Sequence, residues 1–224
     1  MNLTEDGILL IDKPVGWTSF DVVAKIRGMR RAAFKAQGVT PTKRQLKVGH
    51  AGTLDPFATG LLVILLGDAT KRSDEFLKQD KTYEATIVLG ATSTTGDPEG
   101  ELTQVSADEP TEAAVVTALA AFKGTITQTP PIYSAIKVNG QRAYKLARKG
   151  QKVEIPTRQV TIHSIELLEY SYPELTIRTD VSSGTYIRSL AQDIGENLGT
   201  GAYCKELRRI TIGDKHITNV ASML

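Results

Sequence analysis

Six consecutive apolar residues, Leu61–Leu66 (LLVILL), stand between Gly60 and Gly67. A run this short, with no alternation, reads as a strand buried on both faces. The chain must therefore wrap core on two sides of one strand. Its 224 residues, 41% of them hydrophobic, suffice for that. Directly upstream, residues 49–60 read GHAGTLDPFATG. Gly49, Gly52 and Gly60 surround one carboxylate, Asp55, with His50 before it and Pro56 after it. The core strand carries at its entrance a Gly- and Pro-shaped loop holding a single acid.

No linker, repeat or low-complexity stretch divides the chain, which is expected to form one domain over 1–224. No apolar stretch reaches transmembrane length. The opening MNLTEDGILLIDKPVGW lacks the basic start and small-residue cleavage site of a signal peptide. Cys204 is the only cysteine, so an internal disulfide and a thiolate metal cluster are excluded. His50, His163 and His216 lie far apart, with no His-x-x-x-His pair. A cytoplasmic protein without metal or membrane partner is the expectation.

The net charge of +2 says little, but its distribution is uneven. Val22–Leu54 holds Lys25, Arg27, Arg30, Arg31, Lys35, Lys43, Arg44 and Lys47 and no acid. Ser134–Val153 holds Lys137, Arg142, Lys145, Arg148, Lys149 and Lys152, again with no acid. Acids collect around 97–112 and 166–174. Segregated basic segments suit either a polyanion-binding face or solvated helix surfaces.

Thr18 and Asp21 form a capping signature before the amphipathic VVAKIRGMRR, and 32–47 reads as an exposed basic loop. GILLIDKP, TYEATIVLG, RQVTIHSIELLEY and ELTIRTDVS read as strands. ATSTTGDPEGELTQ is turn-rich, Thr111 precedes the helical EAAVVTALAAF, and AYKLARKG reads as a short basic helix. SLAQDIGENLG is a helix stopped by Gly199. Irregular alternation of strands and helices favours an α+β fold with a mixed, largely antiparallel sheet.

Asp55 is either an Asp-Pro turn or a carboxylate presented in a partly desolvated pocket. The second role needs a permanent cation, preferably Arg, to keep the acid ionised. GTYIRSLAQDIG, residues 184–195, offers Arg188 at the start of a helix, two residues after Tyr186. A cation there opposes the helix dipole and so calls for a specific acceptor. Tyr83, at a strand start beside Lys81, is either a core residue or a stacking platform for a base. No Ser-His-Asp set, P-loop or G-x-G-x-x-G occurs, so triphosphate and dinucleotide chemistry lack support.

Five segments together, GILLIDKPVGWTS, GHAGTLDPFATGLL, KTYEATIVLG, PPIYSAIKVNGQRAYKLARKG and VSSGTYIRSLAQDIGENLG, resemble in sequence and order the TruB family of bacterial tRNA pseudouridine synthases. The resemblance implies the pseudouridine synthase fold and isomerisation of uridine 55 in the tRNA T-loop, without a cofactor. It implies that Asp55 is catalytic and that the uridine is flipped out of its stack. Tyr83 would stack on the uracil and take part in proton transfer. Tyr186 and Arg188 would belong to the substrate site, with Arg188 as the ion-pair partner of Asp55. His50 would hold the flipped loop nucleotides, Leu207 would line the uracil pocket, and Lys13 and Pro14 would buttress it.

The segment at about 130–152 resembles the family's thumb, with Lys137, Arg142, Lys145 and Arg148 as RNA contacts. Many members carry a C-terminal PUA domain, and none is expected within these 224 residues. The enzyme is expected to act as a monomer on the tRNA T-stem-loop. Two other classes stand beside this one. A non-catalytic structured-RNA-binding or RNA-chaperone module would not need Asp55, Tyr83 and Arg188 together. A guide-dependent pseudouridine synthase subunit would depend on a PUA domain and protein partners.

Overall fold

The computed structural model describes residues 2–134, 136–138, 140–143 and 154–220. The chain forms two compact units, 1–83 with 208–224, and 84–207. Strands β4 (Lys81–Leu89) and β12 (Ala202–Ile212) each begin in one unit and end in the other.

The first unit is built on β3 (Thr59–Leu66), the strand that contains the apolar run. Strand β1 (Gly7–Lys13) pairs antiparallel along it, from Gly7↔Leu66 to Lys13↔Gly60. The opposite edge is shared. Strand β2 (Val48–Ala51) takes Val63 to Leu66 in antiparallel register, while Arg208 and Arg209 of β12 run parallel to Thr59 and Gly60. β3 is thus a central strand, and its two faces feed two cores. Leu62, Ile64 and Leu66 pack with Leu9, Ile11 and the α1 residues Val22, Val23 and Ile26. Leu61, Val63 and Leu65 pack with Ala51, Phe76 and Ile212. None of the six is more than 1% exposed, and burial of each such side chain contributes about 1.5–3 kcal/mol.

Helix α1 spans Ser19–Ala36, and Thr18 and Asp21 close its N-terminus as a reciprocal capping box. The helix runs five residues into the stretch expected as a loop. Ala32, Ala33, Lys35 and Ala36 are strong helix formers, and Phe34 continues the buried stripe of Ile26 and Arg30. The chain leaves the helix only at Gln37 and Gly38, whose φ is +70°. Beyond β3 come a 3₁₀ turn (Gly67–Arg72) and the short α2 (Ser73–Leu77), which no periodicity announced.

The second unit contains β10 (Arg158–Ser171), antiparallel to β11 (Glu174–Val181) on one edge and to β7 (Gly124–Gln128) on the other. Strands β5 (Ala91–Ser93) and β6 (Leu102–Gln104) form a hairpin over the turn-rich stretch, and Thr111 caps α3 (Glu112–Ala120). Helix α4 (Ile187–Asn197) buries Ile187, Leu190, Ala191 and Ile194, and Gly199 (φ +73°) follows it as expected. The two-residue strands β8 (Lys137–Val138) and β9 (Gln141–Arg142) pair Lys137 with Arg142. In the first unit, β13 (Lys215–His216) folds back on β12. Antiparallel pairs predominate and the β3–β12 contact is parallel, which makes the mixed, largely antiparallel α+β architecture expected. Among the described residues no helix is long and apolar enough to cross a membrane.

Gly60 sits where β3 meets β12, with φ +100°, and a Cβ there would lie 2.6 Å from the backbone nitrogen of Arg209. Gly60→Ala is expected to destabilise the protein by at least about 2 kcal/mol, from left-handed strain and displacement of β12. A lowered urea midpoint measures the loss, and an unchanged one shows that β12 yields freely.

Candidate active site

Asp55 lies in the loop between β2 and β3, and the two residues beside it are fixed by hydrogen bonds. Ser19, buried at the start of α1, accepts from Leu54 N at 2.8 Å and donates to Leu54 O at 3.1 Å. Pro56 O accepts from Gly16 N at 2.8 Å and from Lys13 Nζ at 3.3 Å. Lys13, with no exposed surface, also donates to Pro14 O at 2.9 Å and Trp17 O at 2.6 Å, so one ammonium gathers the β1–α1 turn against the loop. Asp55 O accepts from Ala58 N at 3.1 Å, which tightens the turn itself.

The outer ends of the loop belong to Arg209. Its Nη2 donates to Gly52 O at 3.0 Å and its Nε to Leu61 O at 2.7 Å, with the residue only 1% exposed. Of the three loop glycines, Gly52 (φ +89°) and Gly60 need their freedom. Gly49 lies in β2, where a Cβ would only touch Thr70 at 3.6 Å. The loop is shaped by two of its three glycines together with three buried donors.

His50 lies on β2 opposite Ile64. Tyr83 is 7% exposed on the inward face of β4, in line with Lys81 and Ala85. Lys81 donates to Phe76 O at 3.3 Å, Leu77 O at 3.2 Å and also to Gln79 O, and so closes the end of α2 onto the start of β4. Burial pushes its ammonium down to about 8, and the positive charge of Arg209 adds to the shift.

In the second unit Arg188 is 3% exposed rather than a surface cation. Its Nη1 donates to Asp97 Oδ2 and to Thr95 O, both at 2.9 Å, and its Nη2 donates to Tyr133 O at 2.8 Å. Asp97, equally buried, turns its other oxygen to Thr95 Oγ1 at 2.5 Å and Glu99 N at 3.0 Å. This carboxylate is the acceptor that an arginine at a helix start requires. Tyr186 is the N-cap of α4, its ring covered by the Arg158 guanidinium at 4.7 Å. Leu207 is buried in the middle of β12.

The expected site residues thus fall into two groups. His50, Asp55 and Tyr83 stand in the first unit, and Tyr186, Arg188 and Leu207 in the second. Of the basic segment, Lys137 and Arg142 are backbone register partners in the β8–β9 ladder. Lys145 and Arg148, with most of the expected helix AYKLARKG, lie outside the described residues. Ser19, Asp97 and Arg209 escaped the sequence reading. A usable signal existed for Arg209 and Lys13, because each continues the inward period-two face of its strand, after Leu207 and after Leu9 and Ile11. Among the described residues, no cluster of His, Cys, Asp and Glu could hold a metal ion.

Residues 39–187 match the model of the "TruB family pseudouridylate synthase (N terminal domain)". Over 93% of its length the chain is 50% identical to a tRNA pseudouridine synthase B of Cupriavidus taiwanensis, of which it spans 63%. It is 48% identical over its full length to the protein of the same name from Phocaeicola vulgatus, of which it spans 92%. A chain in the crystal structure of a Cbf5-Nop10-Gar1 complex superposes with a TM-score of 0.67 at 29% identity, covering 96% of this chain and 52% of that one. The chain belongs to the TruB family of pseudouridylate synthases.

Removing Asp97 strands a buried guanidinium. Asp97→Ala is expected to cost about 3–5 kcal/mol in urea unfolding. A cost under about 1 kcal/mol would mean that the carbonyls of Thr95 and Tyr133 hold Arg188 unaided. Lys81 gives a pH signature. Its folded value is about 8 against 10.5 in the unfolded chain, so the unfolded state binds more proton between them and Lys81 favours folding increasingly as pH rises through that window. Measured by urea unfolding, wild type should therefore gain on Lys81→Met from about pH 7.5 to 9.5. A constant difference would show that the ammonium is not desolvated.

Proposed function

We propose that the protein isomerises uridine 55 in the T-loop of tRNA to pseudouridine, with Asp55 as the catalytic carboxylate. The observation that carries the reading is the fixing of the backbone around Asp55. Its neighbours Leu54 and Pro56 are tied to buried Ser19 and Lys13, which supports a loop backbone that is fixed before substrate arrives. The name borne by the curated relatives supports the substrate.

In the reaction the N1–C1′ bond breaks, the uracil turns, and C5 joins C1′. C5 loses its hydrogen and N1 takes up a proton, so atoms balance without a cofactor. A fixed carboxylate either adds to C1′ or stabilises the positive charge that develops there. Tyr83 stacks on the uracil and assists the proton movement. Arg188, its charge held by Asp97, belongs to the substrate site, while His50, Tyr186 and Leu207 contact the flipped nucleotide. Lys137, Arg142, Lys145 and Arg148 neutralise phosphates of the RNA stem. The protein acts as a cytoplasmic monomer, without metal or membrane.

The test is single-turnover conversion of a tRNA transcript tritiated at uridine C5, with enzyme in excess. Wild type should release tritium from one T-loop position. Asp55→Asn should fall below detection while keeping its fold and its tRNA affinity, because the basic surface is untouched. Substantial release by Asp55→Asn sinks the assignment. The likeness to a chain of the Cbf5-Nop10-Gar1 complex favours a second reading, a subunit that needs a guide RNA. Release from bare transcript by the protein alone decides against it.

A further inference from the structure

Gln128 ends β7 and has no exposed surface. A fully buried amide must satisfy both its donor and its acceptor, and Gln128 spends both on one residue. Its Oε1 accepts from Tyr186 N at 2.8 Å and its Nε2 donates to Tyr186 O at 3.0 Å. Tyr186 has no side-chain cap of its own. The N-cap of α4 is therefore placed from outside the helix, by a side chain 58 residues away in sequence.

The ladder partner of Gln128 acts on the same turn. Arg158 pairs with Gln128 across β10 and β7, covers the Tyr186 ring, and donates to Gly184 O. The residues after Gln128 continue the grip, since Thr129 O accepts from Ser189 Oγ at 2.8 Å and Tyr133 O accepts from Arg188 Nη2. The start of α4 is thus held over one helical turn by residues 128–133. Asp97 fixes the charge of Arg188, and Gln128 fixes the backbone that delivers it.

We propose that Gln128 is a positioning residue for the isomerisation: its paired hydrogen bonds to the Tyr186 backbone set where the Arg188 guanidinium stands. This rests on the role given above to Arg188. A shift of about an ångström in a charged group can cost a hundredfold in rate, while RNA affinity resides in phosphate contacts elsewhere.

Two variants test it, by single turnover on the tritiated transcript and by tRNA binding. Gln128→Met keeps the volume and removes both bonds. Its rate constant at saturating enzyme should fall about 10- to 100-fold, with tRNA affinity within about twofold of wild type. Gln128→Glu keeps the acceptor for Tyr186 N but sets a carboxylate oxygen against Tyr186 O. Among the described residues, the charged groups around this turn are Arg158, the ladder partner of position 128, and Arg188, just inside α4, with its partner Asp97. Protonation returns a donor, so the rate of Gln128→Glu relative to wild type should climb as pH falls from about 8.5 to 6. A residue that only fills space gives no such titration. Gln128→Met turning over within about twofold of wild type overturns the proposal. So do parallel losses of rate and affinity in Gln128→Met combined with a flat pH ratio in Gln128→Glu. If Gln128→Met does not fold, the pH ratio of Gln128→Glu decides alone. A wild type that releases no tritium overturns both this proposal and the function on which it rests.

Discussion

Buried cations that donate to backbone carbonyls hold the rest of the structure in place. Lys13 and Arg209 each lie almost wholly out of water, and each gathers carbonyls from segments distant in sequence. A buried ammonium or guanidinium is costly unless its donors are satisfied. That cost gives these contacts their rigidity, because any movement of the loop away from the cation exposes the full penalty. Loops normally gain their order from packing, but the loop around Asp55 is ordered by charge and dipole.

The second unit uses the same device with one difference. Arg188 takes two carbonyls and one carboxylate, so its positive charge is neutralised rather than merely solvated by dipoles. A guanidinium so held presents a fixed direction. In both units, a polar residue of the proposed site is backed by buried polar contacts. Preorganisation of this kind places the energetic cost in folding rather than in the reaction step.

Much of this was legible in the sequence. The run at 61–66 announced a two-faced strand because six apolar residues admit no exposed side. The Thr18–Asp21 box and Gly199 marked helix ends through local chemistry that spans only three or four residues. Asp55 stood out because it is the only acid in a loop otherwise made of small and apolar residues. The hidden parts share one cause. Ser19, Arg209 and Gln128 find partners 35, 148 and 58 residues away, and those partners are backbone groups. A carbonyl has no letter in the sequence, so periodicity shows that a cation is inside without showing what it touches. The extension of α1 to Ala36 was missed for the opposite reason, since alanines there have too weak a pattern to outweigh a cluster of basic residues.

The parallel contact between β3 and β12 carries a consequence for the order of events during synthesis. Thr59 and Gly60 leave the ribosome long before Arg208 and Arg209, yet the loop that begins at Gly52 closes only when those arginines arrive. Non-local pairing of this reach is slow, because the chain entropy of closure is lost before any contact forms. A nascent chain that has β1, α1, β2 and β3 but not β12 holds every residue of the Asp55 loop and lacks its outer clasp. The growing polypeptide therefore carries the Asp55 loop in an unfastened state until Arg208 and Arg209 have been made.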